Sequence, residues 1–118
     1  MATYSKIALS GSTNGRMILT SGSTLGGATT IHTAVAGASD YDEVWLYAMN
    51  NHTANTTLSI AFGGTTDPND LISTSIPADA GLYIVVPGLV IQNELIVKAF
   101  AGVVDVVSIA GWVNRIAA

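Results

Sequence analysis
The sequence predicts an all-β protein, a jelly-roll-like antiparallel β-sandwich of about eight strands preceded by an N-terminal arm. Three observations lead there. Val, Ile and Thr dominate, and branching at Cβ favours strands over helices. The long straight side chains that dress helix surfaces are nearly missing: two Glu (Glu43, Glu94), two Lys (Lys6, Lys98) and one Gln (Gln92) serve the whole chain. Short apolar segments recur at close spacing, each bounded by Gly, Pro, Asn or Asp, as in sandwiches and barrels.

Residues 3–9 alternate in character and are followed by Gly/Ser-rich sequence through Gly27. This lead-in, residues 1–27, reads as an arm able to add a strand to a neighbour, or as an edge strand of its own sheet. Within it, residues 16–20 form a short apolar segment. Residues 28–35 follow the Gly26-Gly27 break and open the sandwich proper, residues 28–118. The turn Ser39-Asp40-Tyr41-Asp42 leads into residues 43–50. A helix over 40–49 with Asp40 as N-cap is the competing reading there; Trp45, Tyr47 and the polar loop that follows favour a strand. Residues 57–62 end at Gly63-Gly64. Residues 71–76 lie between Thr66-Asp67-Pro68-Asn69 and Pro77. Residues 82–86 stop at Pro87-Gly88, a short segment 89–92 follows, and segments 95–101 and 104–116 complete the set.

The chain has 118 residues, enough for one core, which predicts one sandwich with one interior. Alternation along 57–62 assigns Leu58, Ile60 and Phe62 to that interior. Other segments are apolar on both sides. Val44, Leu46 and Ala48 oppose Trp45, Tyr47 and Met49; Leu82, Ile84 and Val86 oppose Tyr83 and Val85; Leu95, Val97 and Ala99 oppose Ile96, Lys98 and Phe100; Val107, Ile109, Gly111 and Val113 oppose Val106, Ser108, Ala110 and Trp112. One of the two sides must look outward. Each large apolar side chain left in water forgoes roughly 1.5–3 kcal/mol, and a patch of them marks an interface. The interface residues this implies are Tyr4, Ile7, Leu9, Trp45, Tyr47, Ile96, Phe100 and Trp112.

Charge points the same way. Only 10% of residues are charged, against about 25% in ordinary domains, and the net charge is −4. Lys6, Arg16, Lys98 and Arg115 are scattered, so no basic cluster exists to hold nucleic acid. The apolar runs are too short and too interrupted to span a bilayer as helices, and no signal-peptide pattern opens the chain.

Catalytic motifs are missing. No cysteine is present, which removes disulfides, thiolate metal sites and thiol nucleophiles. No Gly-x-Ser-x-Gly elbow occurs, and the glycines match neither nucleotide-binding pattern. His32 sits mid-segment between Ile31 and Thr33 and reads as a satisfied histidine; His52 reads as a solvated turn residue. Asp40, Asp42 and Glu43 form one carboxylate group and Asp67 and Asp70 another; turn chemistry accounts for both, and neither has EF-hand spacing. Asn51-His52-Thr53 and Asn55-Thr56-Thr57 match the glycosylation rule by chance. The reading is a non-enzyme with neither cofactor nor metal.

One likeness is carried by Asp42-Glu43-Val44-Trp45-Leu46-Tyr47-Ala48, Phe62-Gly63-Gly64-Thr65-Thr66, Asp70-Leu71-Ile72 and Ile76-Pro77-Ala78. It continues through Gly81-Leu82, Val85-Val86-Pro87-Gly88, Val97-Lys98-Ala99-Phe100-Ala101 and Gly111-Trp112-Val113-Asn114-Arg115-Ile116. Over residues 28–116 this pattern of strands and turns resembles tailed-bacteriophage capsid decoration (cement) proteins. The resemblance implies a jelly roll, often a homotrimer, on the outside of an icosahedral head, where it binds major capsid protein and reinforces contacts between its subunits. It places the chain in the virion, made in the host cytoplasm, with itself and the major capsid protein as partners. The competing expectations are a carbohydrate-binding jelly roll of a phage fibre or knob, with Tyr41, Trp45, Tyr83 or Trp112 stacking on sugar rings, and a small cupin-type enzyme, which two distant histidines disfavour.

Overall fold
The structure is a computed structural model and describes residues 2–118. It contains nine strands: β1 (Thr3–Ala8), β2 (Ile18–Leu19), β3 (Thr29–Thr33), β4 (Tyr41–Asn50), β5 (Thr56–Phe62), β6 (Leu71–Ile76), β7 (Tyr83–Ile91), β8 (Ile96–Ala101) and β9 (Val107–Ala117). A single 3-10 turn, Leu25–Gly27, is closed by the Thr24 hydroxyl accepting from the Gly27 N–H. Among the described residues, no helix is long and apolar enough to cross a membrane.

The first sheet (sheet A) runs β1-β9-β4-β7, with β2 alongside β1 on the same side of β9; the second (sheet B) runs β3-β8-β5-β6. Every pairing is antiparallel. The pairs are nested, β2 with β9, β3 with β8, β4 with β7 and β5 with β6, and they alternate between the sheets. A long hairpin folded over on itself in this way is the jelly roll. Inner residues of both sheets close one core, including Ile31, Val44, Leu46, Leu58, Ile60, Ile76, Val86, Val97, Val107, Ile109 and Val113.

Several expected boundaries move. Residues 82–86 and 89–92 are one strand, β7, because Pro87-Gly88 forms a bulge instead of an end. The register jumps from Val44↔Leu89 to Trp45↔Pro87, leaving Gly88 as the extra residue. A proline is tolerated because β7 is an edge strand. Residues 40–49 form no helix: β4 starts at Tyr41 and alternates inward and outward along its whole length. The last strand starts at Val107, since Asp105 has a left-handed φ of 60° and its N–H turns back to the Thr20 carbonyl.

Residues 3–8, expected as an arm or an edge strand, are the edge strand β1 of their own sheet, in register with Trp112 to Ala117. The lead-in and the sandwich therefore form one packed unit and do not divide at residue 27. Leu9 and Ile18 enter the common core, the Gly11 N–H donates to the Ile31 carbonyl, and the Thr20 hydroxyl donates to the Val107 carbonyl.

Candidate interaction surface
Cross-strand partners share a face, so the registers show what each sheet presents outward. On sheet B the outer side carries Thr30, Thr57, Ser59, Ser73, Ser75 and Lys98, with Ile96 and Phe100 among them. It is mostly hydroxylated, and the Ser59 and Ser73 side chains hydrogen-bond each other at 2.9 Å. On sheet A the outer side is apolar and aromatic. Tyr47 pairs with Ile84 and Ala110, Trp45 with Pro87 and Trp112, Glu43 with Val90 and Asn114, and Tyr41 with Ile116. Of the strands apolar on both sides, β4, β7 and β9 are neighbours in sheet A and their second sides merge, whereas β8 lies in sheet B.

The centre of this face is a row of rings. Trp45 and Trp112 stack with centroids 5.8 Å apart and planes within 10°. Tyr47 and Trp112 follow at 5.9 Å and 25°. Lys6 Nζ lies 4.6 Å from the Trp112 ring centroid, a cation–π position. Glu43 ties the row to its surroundings: one carboxylate oxygen accepts from Trp45 Nε1 at 2.7 Å and from Asn114 Nδ2 at 3.0 Å. Those two donors, Asn114 first, hold the Glu43 carboxyl below the usual range. Trp112 Nε1 is buried and has no hydrogen-bond partner among the described residues.

Beyond the row lies β7, with β4 as its one hydrogen-bonded neighbour. It carries no charged residue from Tyr83 to Ile91. Tyr83, Ile84, Leu89 and Val90 on the strand are exposed, and so is Leu82 before it (60%).

The eight expected interface residues separate into three groups. Trp45, Tyr47 and Trp112 meet on the outer face of sheet A, with Tyr4, 72% exposed, at its β1 margin. Ile96 and Phe100 lie on the opposite side of the molecule, outside sheet B. Leu9 is a core residue, 3% exposed, and Ile7 packs against the core; β1 turns its alternate side chains inward, so neither belongs to an outer surface. The β7 residues Ile84, Leu89 and Val90 were outside the expected set. Their signal, an uncharged apolar run, was in the sequence, but nothing local shows that the run forms a sheet edge.

The residues weighed for chemistry form a structural network instead. His32 on β3 is 1% exposed and Asp42 on β4 fully buried, and they meet at 2.8 Å between His32 Nε2 and Asp42 Oδ2. The Ser10 N–H donates to His32 Nδ1 at 3.0 Å, so the ring proton sits on Nε2 and is donated to Asp42. Arg115 on β9 adds Nε and Nη2 bonds to Asp42 at 2.8 and 3.0 Å, and the Val35 N–H a third at 3.1 Å. Burial alone would raise the Asp42 carboxyl. The hydrogen bonds from Arg115 and His32, with the guanidinium's charge, outweigh it and leave the carboxyl below its usual value. The same contact raises Arg115. The Ser10 hydroxyl accepts from the Thr33 N–H at 2.7 Å, and the two His32 ring nitrogens are engaged by the Ser10 N–H and by Asp42. The network joins sheet B to sheet A.

The carboxylate groups also disperse. Asp42 points inward and Glu43 outward, Asp40 accepts from the Ala118 N–H, and Asp70 accepts from the Thr66 N–H. Among the described residues, no three His, Asp or Glu side chains gather as a metal site. Compared with known protein families, curated proteins and solved structures, the chain matches none.

Proposed function
We propose that this chain is a structural virion protein that binds the outside of a bacteriophage head and reinforces contacts between major capsid subunits. The observation that carries the reading is the asymmetry of the two outer faces. Sheet B presents hydroxyls, whereas sheet A presents Trp45, Tyr47, Trp112, Ile84 and Val90 as one contiguous apolar surface ending in an uncharged free edge. Contiguous apolar surface of this kind marks a protein interface. A cement protein needs a stiff body, a self-association surface and a docking surface. The jelly roll with its inter-sheet His32–Asp42–Arg115 network supplies stiffness, and sheet A supplies contact area. Repetition on an icosahedral shell adds avidity to each modest contact. The strand-and-turn resemblance to decoration proteins supports the same role.

Purified chain mixed with DNA-filled heads that lack accessory proteins, then pelleted through a sucrose cushion, tests this. The reading predicts saturable co-sedimentation at a fixed ratio to the major capsid subunit, and heads that withstand higher temperature. Recovery of the chain entirely in the supernatant contradicts it.

One observation favours a second reading, a carbohydrate-binding module of a phage fibre or knob. The Trp45–Trp112–Tyr47 row adjoins a shallow groove of about 410 Å³ lined by Tyr4, Lys6, Glu43 and Asn114. Rings beside a carboxylate and an amide suit a sugar. Glycan-array binding that Trp112→Ala abolishes would select this reading over the first.

A further inference from the structure
We propose that β7 of one copy is extended by β1 of a second copy of this chain, with the second copy's Tyr4 seated in the hollow beside the end of β7. The inference rests on the self-association required by the function above and names the two surfaces that meet.

The β7 edge asks for a strand. Proteins that keep an edge free usually blunt it with charge, proline, a bulge or a covering segment. Here nine residues carry no charge, although Pro87-Gly88 and a second register shift at Val85 interrupt the strand. The exposed side chains on both sides of the strand would be buried by a further strand.

Direction favours β1. The strands of sheet A alternate in direction, so β1 and β7, at opposite edges, run antiparallel to each other. A copy rotated about an axis along the strands brings its β1 beside β7 in the antiparallel sense, continuing the sheet's own pattern. Repeating this head-to-tail contact closes a ring if the rotation permits.

Charge also favours β1. Pairing β7 with a second β7 would bring the Asp79 end of one strand to the Glu94 end of the other, acid against acid. The one charge within β1 is Lys6, and at its level along the strands (Lys6↔Asn114, Asn114↔Glu43, Glu43↔Val90) the β7 edge has the Glu43 carboxylate beside Val90.

Height along the strands then supplies a fit. Tyr4 pairs with Ile116, Ile116 with Tyr41, and the next residue of β4, Asp42, with Ile91. A rotation about the strand axis keeps Tyr4 at this level, and there an open hollow of about 400 Å³ lies beside β7, lined by Tyr41, Phe62, Asp70, Val90, Gln92 and Leu95. The apolar members suit the ring, and Asp70 and Gln92 offer partners for the phenol hydroxyl.

Because the chain contains no cysteine, disulfide trapping reports the contact cleanly. Tyr4→Cys chains and Leu95→Cys chains are mixed at micromolar concentration and oxidised mildly. The expected product is a heterodimer that requires both chains; the double variant gives a ladder of oligomers. No cross-link in the mixture, or a dimer formed by Ile84→Cys chains alone, overturns the proposal. Val90→Lys, at an exposed edge position, is expected to sediment at lower mass than the wild type while keeping its near-ultraviolet dichroism; an unchanged mass overturns it too. Pelleting wild-type chain with heads separates the two ideas. Binding without the heterodimer defeats the edge pairing and leaves the cement role standing; the heterodimer without binding does the reverse.

Discussion

 Asp42 shows how single residues hold this sandwich together. It is fully buried and receives four hydrogen bonds, from Arg115 Nε and Nη2, His32 Nε2 and the Val35 N–H. Asp42→Ala strands the buried imidazole and one guanidinium, and is expected to cost about 3–5 kcal/mol in urea unfolding. Arg115→Met is expected to cost less, about 1.5–3 kcal/mol, since the Arg115 side chain is 35% exposed and partly screened. The pH dependence follows from the lowered Asp42 carboxyl. A carboxyl lower in the folded state contributes stability that is fully present above its unfolded pKa, about 3.9, and lost as pH falls through the lower folded value. Melting temperature should therefore fall on the acid side of pH 4, and Asp42→Asn should flatten that fall. The two tryptophans make a second contrast. Trp45→Phe removes a hydrogen bond to Glu43, whereas Trp112→Phe removes an N–H that has no partner among the described residues. Thermal unfolding should find Trp45→Phe the more damaging. At this scale the sequence was half legible. His32 between Ile31 and Thr33 reads as a satisfied histidine, but Arg115 lies 73 residues from Asp42, and no local pattern announces a partner so distant.

At the scale of elements, β5 and β6 were the most legible, because alternation along 57–62 and the turn residues flanking 71–76 mark them locally. β7 was the least. Pro-Gly is a turn signal, and only the sheet order shows that Pro87 lies at an edge, where a missing N–H is tolerated. Gly88 holds the bulge at φ 82°, and a Cβ there would lie 2.9 Å from Trp45 Cζ2. Gly88→Ala is expected to cost about 1–3 kcal/mol and to perturb the near-ultraviolet signal of the Trp45–Trp112 pair. Gly111 allows a closer approach: a Cβ there would run into the Trp45 carbonyl oxygen, where β9 passes β4. Gly111→Ala should be the more destabilising of the two, and chemical denaturation of both variants checks the order. The arm-or-edge choice for residues 3–8 was likewise beyond local reading, since Tyr4 and Lys6 alternate in the same way whether their partner is the chain's own β9 or a neighbour's strand.

For the whole molecule, the governing quantity is the excess of apolar strand surface over what one interior can hold. The sequence showed that excess; the fold shows where it goes. Nested pairing puts β4, β7 and β9 in one sheet, so their second sides fuse into a single face, while sheet B is left with serine and threonine outside. With 10% of residues charged, little opposes association through that face. The most direct test is the sedimentation-equilibrium mass of the purified chain at micromolar concentration. The account predicts a mass several times that of one chain, falling towards one chain when Ile84 and Val90 are both replaced by Lys. A wild-type mass of one chain, unchanged by those substitutions, contradicts it.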